Sequence, residues 1–119
     1  MRTIDATELT EIIADANVEL RTGEVGEMTV SFISLKAGTD LAPALVGLDD
    51  DLCQCPHWGY MLEGTLGMHT PDGDQEYRAG SAFYWAPGHA PFAVTDCRYV
   101  DFSPTHEFAP VIAHITGSA

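Results

Sequence analysis

Basic residues are scarce in this chain. Five Lys and Arg stand against 18 Asp and Glu, a formal net charge of −13, and a surface of that sign repels nucleic acid and anionic membranes. Neither is expected as a partner. No apolar run approaches the ~20 residues that a bilayer-spanning helix needs, and the N-terminal stretch Met1-Arg2-Thr3-Ile4-Asp5-Ala6-Thr7-Glu8 lacks the apolar region of a secretory signal. These absences predict a cytoplasmic protein. Cysteine is also sparse: three cysteines without an export signal do not make a disulfide framework, and Cys53 and Cys55 are too close in sequence to bridge comfortably. There is no nucleophile elbow with a Ser-His-Asp order, no phosphate loop and no dinucleotide fingerprint. Thiol chemistry or metal binding remains. With 119 residues, the chain is expected to form one domain, residues 1–119, around one modest core.

The run Cys53-Gln54-Cys55-Pro56-His57-Trp58-Gly59-Tyr60 is where metal chemistry is written most plainly. Side chains alternate across a strand, so Cys53, Cys55 and His57 would share one face, with Asp51 beside them. Thiolate and imidazole suit zinc, and also iron, copper or nickel, better than calcium or magnesium. Asp49-Asp50-Asp51 reads as a solvated acidic loop, and Cys97, within an apolar strand pattern, as a buried inert thiol.

Leu9, Ile12, Ile13 and Ala16 recur at helical spacing, and Asp5 with Glu8 three residues on resembles a capping box, which predicts a short helix over residues 5–16. Beyond Gly26 the pattern changes to short β-forming runs at residues 28–35, 58–62, 65–69, 75–77, 81–85, 92–95 and 98–102. Turn signals separate them, with Pro71-Asp72-Gly73-Asp74 marking a hairpin. Many short strands at this spacing predict an all-β sandwich or small barrel. Ser103 as a cap and Pro104 at the first helical position predict a short C-terminal helix over residues 103–115.

In this strand rhythm, the runs Tyr60-Met61-Leu62-Glu63-Gly64-Thr65-Leu66 and Tyr77-Arg78-Ala79-Gly80-Ser81-Ala82-Phe83-Tyr84-Trp85-Ala86-Pro87-Gly88-His89 resemble a cupin, over about residues 28–104. The resemblance implies a jelly-roll barrel, or double-stranded β-helix, with metal ligands from two motifs: two histidines and a glutamate in the first, one histidine in the second. Anchored on Gly64, the first motif places His57 at the glutamate position and Asp51 and Cys53 at the histidine pair. A shortened spacing places Cys53 and Cys55 there instead. Anchored on Gly80 and Gly88, the second motif has Pro91 at the family's histidine position, with His89 two residues earlier and able by alternation to face the same interior. A subset of small cupins is similar in the Cys53 to Tyr60 run and in Pro87-Gly88-His89.

The expected metal ligands are thus Cys53, Cys55, His57 and His89, with a divalent transition metal between them; zinc is favoured on softness, ahead of iron, nickel, manganese or copper. Four protein ligands would make a closed, structural site, whereas three would leave a position for water or substrate. In the second case the metal would act as a Lewis acid on a small molecule in the barrel, in lyase, isomerase or oxygenase chemistry, with Glu63 or a site histidine carrying protons. Tyr60, Trp85 and Phe92 are the expected pocket residues. His69, His106 and His114 read as surface histidines. Cupins commonly pair through edge strands, so the resemblance also implies a homodimer.

Overall fold

A computed structural model describes residues 1–117. Among the described residues, nine strands form two antiparallel sheets. The larger has the order β1 (Thr10–Ala14), β2 (Val18–Val25), β3 (Met28–Leu35), β9 (Cys97–Pro104), β4 (His57–Glu63), β7 (Ala82–Trp85). The smaller has the order β6 (Gln75–Arg78), β5 (Thr65–His69), β8 (Ala90–Ala93). A single helical turn, α1 (Ala42–Leu45), lies between β3 and β4, and α2 (Thr105–Thr116) follows β9.

Alternation decides what each strand buries. In β9, Cys97, Tyr99, Asp101 and Ser103 turn inward; in β7, Phe83 and Trp85 do. Of these, Cys97, Tyr99, Phe83 and Trp85 meet Leu35, Met61, Leu66 and Met68 in one apolar cluster between the sheets. A second cluster, Leu45, Cys53, Cys55, Ala90, Phe108 and Val111, forms where α2 closes one end of the barrel. Two glycines are fixed by what surrounds them. Gly64 turns from β4 into β5 at φ 74°, a region that favours glycine. At Gly59, a Cβ would collide with the Val100 carbonyl and the Phe83 ring, so the absence of a side chain lets β4 and β9 pack closely beneath that ring.

The strands Met28–Leu35 and Thr65–His69 and the Gly73 hairpin lie where the sequence places them. Other expectations are corrected. Residues 5–16 do not form a helix: Asp5 accepts a 2.9 Å hydrogen bond from the Thr7 amide and caps only the 3₁₀ turn Ala6–Glu8. The chain then extends as β1, bulged between Glu11 and Ile13. The bulge explains the misleading pattern, because adjacent Ile12 and Ile13 both reach the interior cavity, as they would on a helix face. Strand β2 was not anticipated, since its Glu19, Arg21, Gly23 and Glu24 break up an apolar alternation. Strand β8 begins at Ala90, not at Phe92. Ser103 does not cap α2; it is the fully buried penultimate residue of β9, and α2 starts with no side-chain cap.

Candidate metal centre and its cavity

Cys53 is not on a continuous strand with His57. Asp49–Asp51 form a 3₁₀ turn in which Asp50 and Asp51 have φ of 59° and 57°, and Asp51 spends its carboxylate on the Gly47 amide at 2.9 Å. The expected face shared by Asp51, Cys53, Cys55 and His57 therefore does not form. Instead Cys53 is clasped to the β7–β8 turn: its amide donates to the His89 carbonyl at 2.8 Å, and its own carbonyl accepts from Gly88 and His89 at 2.8 and 3.2 Å. After Pro56 the chain enters β4, whose first residue, His57, faces inward.

This path brings one donor atom each from Cys53, His57 and His89 to within 4.8 Å of one another. All three residues are buried, at 4%, 6% and 3% exposure. The separation between Cys53 Sγ and His57 Nε2 is 3.7 Å, close to the edge of about 3.6 Å that zinc–sulfur and zinc–nitrogen bonds define in a tetrahedron. Cys55 lies outside this cluster. Its thiol donates to the Pro56 carbonyl at 3.4 Å, and the side chain packs in the α2 cluster.

Hydrogen bonds orient both imidazoles. His89 Nδ1 lies 2.7 Å from the Ala86 carbonyl, which can only accept, so Nδ1 carries the proton and Nε2 keeps its lone pair. His57 Nδ1 is engaged by Ser103 Oγ at 2.6 Å, which frees Nε2 on the side of Cys53. Burial, with His89 adding, pushes the His57 pKa down to about 3, and burial lowers that of His89. Both rings are neutral at pH 7. Burial raises the Cys53 thiol to about 11 and Asp101 to about 8. Asp101 Oδ2 lies 4.0 Å from His57 Nδ1, yet burial drives both groups toward their uncharged forms, so the pair is a neutral contact and not an ion pair. A divalent cation suits this set, because it takes the free lone pairs of two neutral imidazoles and stabilises the thiolate that burial alone disfavours.

The cluster borders a cavity of about 430 Å³ whose wall includes Leu20, Ile33, Trp85, Tyr99, Phe108 and Val111. Its acidic lining residues are Asp15 and Asp101; among the described residues, no Lys or Arg lines it. Of the expected pocket residues, Trp85 lines this cavity and Tyr60 and Phe92 do not. Tyr60 points to the outer face of β4 at 44% exposure, and Phe92 stacks on His69 at 4.3 Å. Glu63 is not at the site either; it is exposed and ion-pairs with Arg98 at 3.2 Å. Asp101 and Ser103 were missed by sequence reasoning. Their signal was available: a carboxyl and a hydroxyl at alternate positions, on the inward face that Cys97 and Tyr99 mark.

Two antiparallel sheets wrapped around an apolar cavity, with a buried Cys–His–His cluster at its wall, define a small jelly-roll barrel able to bind a metal. The chain has the cupin fold. It is similar to ectoine synthase from P. lautus, with 14% identity over 87% of this chain and 78% of that one and a TM-score of 0.62. It is similar also to an RmlC-like cupin from Shewanella frigidimarina, with 14% identity over 87% and 91% and a TM-score of 0.61. A third similar structure is the polyketide cyclase RemF from Streptomyces resistomycificus, with 18% identity over 87% and 79% and a TM-score of 0.60. No protein-family profile and no curated protein matches the sequence.

Proposed function

We propose that this chain is a one-domain cupin that holds a divalent transition metal through Cys53, His57 and His89 and receives a small organic molecule in the adjoining cavity. The observation that carries this reading is the convergence of three buried donors, within 4.8 Å, at the cavity wall. One thiolate and two imidazoles favour zinc over iron, nickel, manganese or copper, and three protein ligands leave a coordination position on the cavity side. When bound, the metal supplies Lewis acidity, polarising a carbonyl or acidifying water. The chain's own residues do the rest. Ser103 and the Ala86 carbonyl orient the two imidazoles, the apolar wall excludes bulk water, and Asp101 holds a proton beside His57. Lyase or isomerase chemistry fits this arrangement better than oxygenase chemistry, because a thiolate ligand is readily oxidised.

A second reading has a specific support. Cys55 is buried two residues from Cys53, close enough that the Cys53 thiol adds to the upward shift burial gives it, and its rotation would close a Cys₂His₂ zinc site that is structural. Metal analysis of untagged protein with X-ray absorption separates the two. One sulfur per zinc supports the open site, and two support the structural one. No metal in the wild type, or unchanged metal content in the double variant Cys53→Ser/His57→Ala, would sink both.

The free buried thiols Cys53, Cys55 and Cys97 fit a reducing, cytoplasmic setting. Homodimer formation is supported by the edge strand β7 and the exposed aromatic patch beside it, Trp58, Tyr60, Tyr84 and Phe102.

A further inference from the structure

The cavity contains polar atoms that neither the metal donors nor the fold uses. Trp85 Nε1 and Asp101 Oδ1 are buried and have no hydrogen-bond partner among the described residues. Both residues are 3% exposed and both line the cavity. Ser31 Oγ, a third such atom, belongs to the residue opposite Asp101 in the β3–β9 register but does not line the cavity. A buried polar group without a partner is costly to retain, so an unpaired donor and an unpaired acceptor on two residues of one cavity wall mark a place for a ligand's polar atom.

Their position relative to the metal donors is fixed by the sheet. Trp85 is directly opposite His57 in the β4–β7 register, its ring 6.1 Å from that of His57 and 6.0 Å from that of His89. Asp101 is 4.0 Å from His57 on the other side. A polar headgroup held by this pair therefore lies beside the Cys–His–His cluster, and the rest of the ligand lies against Ile12, Ile13, Leu20 and α2. The charge of the ligand is limited as well. The two ionisable carboxyls at the wall and the chain's net charge of −13 leave an anion with no counter-charge from the protein.

We infer that the cavity takes an uncharged, mostly apolar hydroxy compound, a phenol, enol or alcohol, whose oxygen accepts from Trp85 Nε1–H and whose hydroxyl donates to Asp101 Oδ1. Carboxylates and phosphates are disfavoured in the metal-free cavity. This deepens the proposed function by naming its substrate class, but the anchoring atoms belong to the protein, so the preference exists without metal.

Three probes of one shape test it by isothermal titration calorimetry at pH 7 on chelator-treated protein: 2-naphthol, naphthalene and 2-naphthoate. The expected order is 2-naphthol about tenfold tighter than naphthalene, with 2-naphthoate weakest. Trp85→Phe and Asp101→Leu should each bring 2-naphthol down to the affinity of naphthalene and leave naphthalene itself unchanged. Far-UV circular dichroism checks that both variants fold; if either does not, the wild-type order decides alone. Equal binding of naphthol and naphthalene, or tighter binding of naphthoate, overturns the inference. Zinc stoichiometry is measured separately on the same protein. Zinc binding without the naphthol preference defeats this inference alone, and the preference without zinc binding defeats the metal reading alone.

Discussion

His57 Nδ1 and Ser103 Oγ lie 2.6 Å apart, joining the first residue of β4 to the inward-facing end of β9. The bond directs the opposite nitrogen of the ring toward Cys53. Such outer contacts tune metal affinity by about 10- to 100-fold. Ser103→Ala is expected to weaken zinc binding by at least that lower figure, read by competition with a chromophoric chelator. Ser103→Thr, which keeps the hydroxyl, should recover most of it.

The Cys53 thiol, raised to about 11 by burial, must release a proton to become a ligand, whereas burial lowers both His57 and His89 and leaves them neutral at pH 7. Zinc affinity should therefore rise about tenfold per pH unit between pH 7 and 9, with one proton released per zinc. Calorimetry in buffers of different ionisation enthalpy counts that proton. Two protons per zinc would instead indicate that Cys55, raised to about 12, also ligates.

Stability of the metal-free protein should pass through a maximum near pH 6.5. His57, with a folded pKa of about 3 against an ordinary value of 6.5, binds its proton more readily when unfolded, so stability grows as pH rises from 3 to 6.5. Asp101 acts in the opposite sense. Its folded pKa of about 8 against 3.8 means the folded state keeps the proton longer, and stability falls as pH rises from about 4 to 8. Between about pH 4 and 6.5 these two effects cancel, so the remaining rise toward pH 6.5 comes from His89, which burial also lowers, and Asp101 alone acts from pH 6.5 to 8. Urea midpoints across this range check the shape, and Asp101→Asn should remove the decline between pH 6.5 and 8.

Gly59 lies where β4 crosses Val100 and Phe83. Gly59→Ala forces a methyl group into that contact and is expected to cost about 1–3 kcal/mol. Gly73→Ala adds no collision, because nothing lies within 4 Å, and is strained only by its φ of 110°. Comparing their denaturation midpoints separates overpacking from backbone strain.

If two copies pair along β7, then Trp58→Ser with Tyr84→Ser, which replaces two exposed rings 5.2 Å apart, should convert the dimer to monomer in light scattering while the melting temperature of the monomer stays close to that of the wild type.

The sequence was informative where local pattern and tertiary context agree. Met28–Leu35 and Thr65–His69 pair on both sides in the sheets, and their bounds were legible from residue type and flanking turns. Residues 5–16 were misread because a bulged edge strand and an amphipathic helix can place the same two isoleucines inward. At the site, residue chemistry was legible before geometry: Cys53, His57 and His89 come together, but by a backbone clasp and not by alternation along one strand. Asp101 escaped notice because burial, which raises its pKa and leaves Oδ1 without a partner, is a property of the folded barrel and not of the surrounding sequence.

The clasp between Cys53 and the Gly88–His89 segment has a kinetic consequence. The backbones that carry two of the donors cannot part while three main-chain hydrogen bonds hold them together. A bound cation would leave only when that part of the barrel opens as a unit. Its dissociation rate should then follow the hydrogen-exchange rates of the Cys53, Gly88 and His89 amides, so that metal retention becomes a measure of barrel opening.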